Sequence, residues 1–177
     1  FRRVLFRSGS GGTTRGSLLT FDGAEWRTFA KGLDGAPLAM KRVGDDTILA
    51  GPFRMAGGRR VNGVTRFDGS QFHPMGQGLY SNSFGSTSEI AADLEVGPDG
   101  ALYACGLFTS IDPAQSRTLD GVARWDGSLW RRTVPANGAN PQGQVFDLAI
   151  HNGQLFLSGN ASVSGGSGIT VITSRGC

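Results

Sequence analysis

Along this chain apolar residues come in short runs, broken every few positions by glycine, aspartate, asparagine or proline. No window keeps a helical spacing between apolar positions, which excludes helical repeats. Runs this short read as strands joined by turns. Three segments share one order: an apolar residue, two others, an aromatic, Asp-Gly, two others and a second aromatic. They are Leu18 to Trp26 (LLTFDGAEW), Val64 to Phe72 (VTRFDGSQF) and Val122 to Trp130 (VARWDGSLW). The pairs Asp22-Gly23, Asp68-Gly69 and Asp126-Gly127 predict tight hairpin turns, because glycine takes positive φ without steric cost and aspartate bonds nearby backbone.

A second pattern alternates with the first. The runs Leu38 to Val43, Leu94 to Val96 and Leu148 to Ile150 are each followed by a short polar turn and a second apolar run. Those second runs end at Gly51, Gly106 and Gly159. Each copy predicts strand, turn, strand, then a glycine where the chain bends or packs closely. Joined in order, the two patterns give a four-stranded antiparallel meander repeated head to tail, the signature of propeller blades. A β-sandwich is the alternative, but it has no need to repeat aromatic-Asp-Gly in register.

The repeat divides the chain. Residues 16–30 supply two outer strands of one blade, 36–75 and 89–134 full blades, and 144–163 two inner strands. The expected fold is therefore all-β: a partial β-propeller over residues 9–163, about three blades of four-stranded antiparallel sheet forming an open arc, since closed propellers take at least about four. Residues 164–177 read as a Gly/Ser linker with a further strand at Ile169 to Thr173, or as a frame-shifted end. Residues 81–88 and 112–118 read as loop insertions, where a rigid scaffold would carry specificity.

The run Gly51-Pro-Phe-Arg-Met-Ala-Gly-Gly-Arg-Arg-Val-Asn-Gly-Val-Thr-Arg-Phe-Asp-Gly69 resembles blades of Kelch-like or galactose-oxidase-like bacterial propellers. It is also similar to the delta-sixty repeats of large bacterial surface and secreted proteins. The resemblance rests on Gly-x-Phe, on Ala-Gly-Gly at 56–58 and on Arg-Phe-Asp-Gly, and it spans roughly residues 16–163. It implies a segment of a larger secreted or cell-surface protein whose immediate partners are neighbouring blades. The expected role is a non-catalytic binding or adhesion scaffold for a protein or glycan ligand. The alternative is part of a propeller-borne carbohydrate-active enzyme or lectin.

Composition alters this picture twice. Glycine supplies 29 of 177 residues, about twice its usual share, and without a three-residue period that means turns. The net charge of +3 first suggests an anionic partner. However, Phe1 to Ser8 (FRRVLFRS) resembles the end of a short-read sequencing adapter translated in frame; the competing reading is a basic arm or the stub of a signal peptide. Without those eight residues, positions 9–177 hold 14 Lys+Arg against 14 Asp+Glu, so no nucleic-acid partner is expected. No run of 18 apolar residues is present, so no membrane-spanning helix is expected.

Candidate chemistry is sparse. His73 and His151 lack recurring carboxylate or thiol neighbours, so no metal site is expected. Cys105 reads as a small buried apolar residue, and its pairing with Cys177 is left open. Asn160-Ala-Ser162 matches a short glycosylation sequon. No nucleophile motif or phosphate loop is present, so no catalytic residue or cofactor is expected. Arg59-Arg60 and Arg131-Arg132 read as blade-edge charge that blocks unwanted strand pairing. The repeated Asp22, Asp68 and Asp126 read as turn residues rather than calcium or sugar ligands. Asp93 and Asp147 start inner strands that would line a propeller channel, and they are the candidate ligand site. The matching position in the preceding unit is expected to be Pro37, which would break an acidic ring.

Overall fold

The computed structural model describes residues 16–81, 91–97, 99–110, 121–133, 144–160, 162–163, 166–167 and 170–173. The described residues are strands and turns without a helix. The strands are β1 (Gly16–Phe21), β2 (Trp26–Leu33), β3 (Ala39–Val43), β4 (Asp46–Ala50), β5 (Met55–Ala56), β6 (Arg59–Arg60), β7 (Val64–Phe67), β8 (Phe72–Pro74) and β9 (Ala91–Val96). They continue as β10 (Leu102–Gly106), β11 (Val122–Trp125), β12 (Trp130–Arg132), β13 (Val145–His151), β14 (Gln154–Gly159), β15 (Ser162–Val163), β16 (Gly166–Ser167) and β17 (Thr170–Thr173).

Four antiparallel sheets follow one another in chain order. Sheet I runs β1-β2-β5-β6, sheet II β3-β4-β7-β8, sheet III β9-β10-β11-β12 and sheet IV β13-β14-β17; β15 and β16 form a separate hairpin. Sheets II and III are meanders in which each strand pairs with the next along the sheet. In sheet II the chain leaves after β4 and returns at β7, and the intervening β5-β6 hairpin adds to sheet I through Leu33 and Ala56. The Ala-Gly-Gly run, read from sequence as the interior of one unit, therefore extends the sheet before it. Asp34 fixes this excursion: its Oδ1 accepts from the backbone N–H of Arg54 at 2.8 Å and Met55 at 2.9 Å.

Strand alternation places a core on both faces of the middle sheets. On β4, Leu49 joins Leu18, Leu33, Phe53 and Phe72 between sheets I and II. Its neighbours Ile48 and Ala50 join Leu94, Leu102, Ala104 and Trp130 between sheets II and III. On β10, Leu102 and Ala104 face that same core, whereas Tyr103 and Cys105 pack with Val145, Leu148 and Leu157 between sheets III and IV. Three separate cores thus lie between four successive sheets. A two-layer sandwich would have one.

Each Asp-Gly pair lies in the turn of a hairpin, between β1 and β2, β7 and β8, or β11 and β12. Gly23, Gly69 and Gly127 have φ of 106°, 96° and 101°, conformations that only glycine adopts freely. The flanking aromatics meet across each turn, with ring centroids 4.9 Å apart for Phe21–Trp26, 4.8 Å for Phe67–Phe72 and 5.3 Å for Trp125–Trp130. The glycine closing the second strand has another cause. A Cβ on Gly159 would sit 2.2 Å from the Gln144 carbonyl oxygen, and one on Gly51 would sit 2.8 Å from that of Ala36. At both positions the backbone leading into the first strand of the sheet crosses over the glycine.

Candidate functional site

Sheets II and III part at the end carrying their short turns and leave a cleft of about 760 Å³. That volume lies within the range of about 300 to 1,000 Å³ usual for ligand sites. Ile48 and Leu102 from the two central strands line it, with Met75 and Gly76 from the segment after β8. The half-buried indole of Trp125 contributes to the wall, and Asp126, Gly127 and Ser128 from the β11–β12 turn close the lip. Polar function comes from two arginine–aspartate pairs. Arg66 Nη1 donates to Asp46 Oδ2 at 2.9 Å. Arg124 donates from Nε at 3.0 Å and Nη2 at 2.8 Å to Asp99 Oδ2.

The repeat itself builds these pairs. Arg66 and Arg124 each precede the aromatic of an aromatic-Asp-Gly turn, and each reaches an aspartate at the first hairpin of its own sheet: Asp46 opens β4, and Asp99 lies in the β9–β10 turn. Partial burial pushes the Asp99 carboxyl up. The Arg124 hydrogen bonds, the Ala101 N–H at 3.1 Å and the Tyr103 hydroxyl at 3.3 Å outweigh burial and hold it below the usual carboxylate range. The same hydrogen bond to Asp99 raises the Arg124 guanidinium further. Both members of this pair are therefore charged through the neutral range.

The Asp-Gly turns form a second, recurring arrangement. Asp68 Oδ1 accepts from the N–H of Ser70 and of Gln71, each at 2.8 Å, and Asp126 Oδ1 accepts from Ser128 at 2.9 Å and Leu129 at 2.8 Å. Asp22 Oδ1 does the same for Ala24 and Glu25, at 2.9 Å each. The other oxygen meets a base five positions on: Arg27 at 3.3 Å, His73 at 2.5 Å and Arg131 at 2.7 Å. For Asp68 the Gln71 amide and then the His73 ring lower the carboxyl well below its usual range; for Asp126 the Leu129 amide and then Arg131 do so. These carboxylates are saturated by their own turns. They do not converge on one point.

Asp93 and Asp147, by contrast, are brought together. They lie on β9 and β13, the first strands of sheets III and IV, and their side chains interact. Asp93 Oδ2 also accepts from the Leu148 N–H at 2.9 Å, tying the two sheets. Burial is the main cause that raises the Asp93 carboxyl. The Leu148 and Leu94 amides oppose it, and the Asp147 carboxylate adds to it. Beneath them the buried Cys105 carries a free thiol, pushed far up by burial and then by the two carboxylates. Such a thiol is not a nucleophile at neutral pH.

Strand register corrects the expected counterpart in sheet II. Asp93 pairs with Cys105 and Asp147 with Ser158, each the residue before a closing glycine. The residue facing the same position before Gly51, Ala50, is Ala39. Pro37 instead matches the buried Ala91 and Val145. The offset is two residues: Met40, not Leu38, holds the place of Leu94 and Leu148, so the position of Asp93 and Asp147 falls at Ala39. The ring of acids is still interrupted in sheet II, but at Ala39.

Among the described residues no group of three or more His, Cys, Asp or Glu side chains converges as a metal site, and no helix is long and apolar enough to cross a membrane. His151 ends β13, packed near Phe156 at 6.4 Å between centroids. Ser81 is described, but the rest of the two candidate specificity loops, together with Cys177 and residues 1–8, lies outside the described residues. Comparison of the chain with protein-family models, curated proteins and solved structures gave no match. The site therefore rests on its own residues. Sequence reasoning missed the cleft pairs and the base five positions after each turn aspartate. The signal for the first was arginine before aromatic-Asp-Gly in both full units; for the second, it was Arg27, His73 and Arg131 in one column.

Proposed function

We propose that the chain is an open arc of propeller blades serving as a non-catalytic binding scaffold within a larger secreted or cell-surface bacterial protein. The observation that carries this reading is the succession of four sheets in chain order with a separate core in each interval. Blades stacked in this way form a rigid frame on whose ends turns can present polar groups. The Kelch-like and delta-sixty resemblance of residues 51–69 agrees with it.

The second reading, part of a carbohydrate-active enzyme, is favoured by one observation only: Asp93 and Asp147 are two interacting carboxylates in environments of different burial. Unequal carboxylates are a common acid–base device. Incubation with oligosaccharides followed by mass spectrometry separates the two readings. Sugar retained unchanged on the protein is the result expected of a scaffold, and shortened or oxidised sugar would overturn it.

A further inference from the structure

We propose that the cleft between sheets II and III binds a neutral carbohydrate, with a ring face against Trp125 and hydroxyls bridging the Asp46–Arg66 and Asp99–Arg124 pairs. The inference rests on the scaffold reading and adds the location and ligand class. Charge balance is the first argument. The lining holds Arg66 and Arg124 against Asp46, Asp99 and Asp126, and Asp126 is bridged by Arg131 at 2.7 Å. Such a lining attracts neither a polyanion nor a polycation. What it offers is donors and acceptors side by side, the pattern that a sugar hydroxyl, itself both donor and acceptor, can satisfy.

The second argument is preorganisation. Each guanidinium is already held by its aspartate, so little side-chain freedom is lost when a ligand enters. The Arg66 pair is only partly covered, at 40% exposure for the arginine and 29% for the aspartate side chain. Among the described residues only Nη1 of Arg66 has a protein acceptor, which leaves its Nε and Nη2 hydrogens for a ligand. The third argument weighs against strand addition by a peptide at the two central strands. The apolar wall comes from β4 and β10, whose backbone groups on both sides are committed to β3 and β7, and to β9 and β11. Neither of these two central strands has an open edge for strand addition. An indole that is apolar across its face suits the C–H face of a sugar ring.

The test is titration of the chain at neutral pH with cellotetraose, maltotetraose and mannotetraose. A heparin tetrasaccharide and a chitosan tetrasaccharide serve as charged probes, all read by tryptophan fluorescence and amide spectra. The expected result is saturable binding of at least one neutral tetrasaccharide that moves the Trp125 indole and the Ser128 amide and is nearly independent of salt. Arg66→Gln should weaken binding at least about tenfold. Ser128→Tyr, at the exposed lip, should block it with the thermal midpoint unchanged, so that loss of binding is not loss of fold.

Absence of binding by all three neutral probes would overturn the proposal. So would saccharide binding that survives both variants. Salt-sensitive binding of the heparin or chitosan fragment at the cleft, in preference to the neutral probes, would overturn the ligand class while leaving the scaffold reading standing. Cleavage of a bound neutral sugar would overturn the scaffold reading and leave the cleft assignment in place.

Discussion

The two complete intervals on either side of sheet III are built from the same repeat and carry opposite electrostatics. Between sheets II and III the first strands are joined by unlike charges, Lys41 Nζ to Glu95 Oε1 at 2.6 Å, and the far end opens into a cleft with two further ion pairs. Between sheets III and IV the first strands are joined by like charges, with Asp93 raised by burial and by Asp147. One interval is held by fixed charge and the other is eased by a proton. Ala39 stands where Asp93 and Asp147 stand, and Lys41 where Glu95 stands, so equivalent positions in the repeat share backbone geometry without sharing chemistry.

The largest expected effect tests the shared geometry. Gly159→Ala places a Cβ 2.2 Å from the Gln144 carbonyl oxygen, a clash only backbone movement relieves. A loss of about 3 kcal/mol or more is expected in chemical denaturation, with the start of β13 displaced from β14. A near-neutral result would mean that the chain does not cross there.

Next comes the tie itself. Asp93→Ala leaves the Leu148 N–H without its acceptor and should cost about 1 to 2 kcal/mol. Asp93→Asn keeps an acceptor and removes the like charge, so at neutral pH it should be as stable as the parent or more so. The two substitutions separate hydrogen bonding from charge.

The pH dependence should differ in sign between the intervals. A carboxyl raised in the folded state binds its proton more tightly there, so its contribution is present below the unfolded value of 3.8 and fades as pH rises through the folded value. Relative to Asp93→Asn, the parent should lose denaturation midpoint as pH climbs from 3.8. Asp99, Asp68 and Asp126 are lowered from 3.8, so their contribution is present above that value and lost below it. Midpoints measured across the acid range for the parent, Asp93→Asn and Asp99→Asn check both signs; equal slopes for all three would break the contrast. The smallest effect is at the unlike-charge tie, where Lys41→Met should cost less than about 1 kcal/mol, because the pair is part-exposed and screened.

What could be read in the sequence was local. The turns at Asp22, Asp68 and Asp126 follow from two residues each, and the flanking aromatics mark the strands on either side. What escaped depends on distant placement. Asp46, Arg66, Asp99 and Arg124 are each an ordinary surface charge, and only the pairing within sheets II and III and the approach of those sheets makes them a site. The β5–β6 hairpin escaped because two-residue strands leave no periodic pattern. Asp93 and Asp147 stand out in the sequence, yet their partnership depends on how sheet IV packs on sheet III. Matching Leu38 with Leu94 and Leu148 puts Pro37 at the acidic position, whereas the register sets Met40 level with those leucines and so Ala39 there.

The most direct test of successive sheets with a core in each interval lies on β4. Methyl-to-methyl nuclear Overhauser contacts should run from Leu49 to Leu18 or Leu33 of sheet I, and from the adjacent Ile48 to Leu94 or Leu102 of sheet III. Contacts from only one of these neighbours, with the other exposed to solvent, would contradict the stacked arrangement and leave a two-layer sandwich in its place.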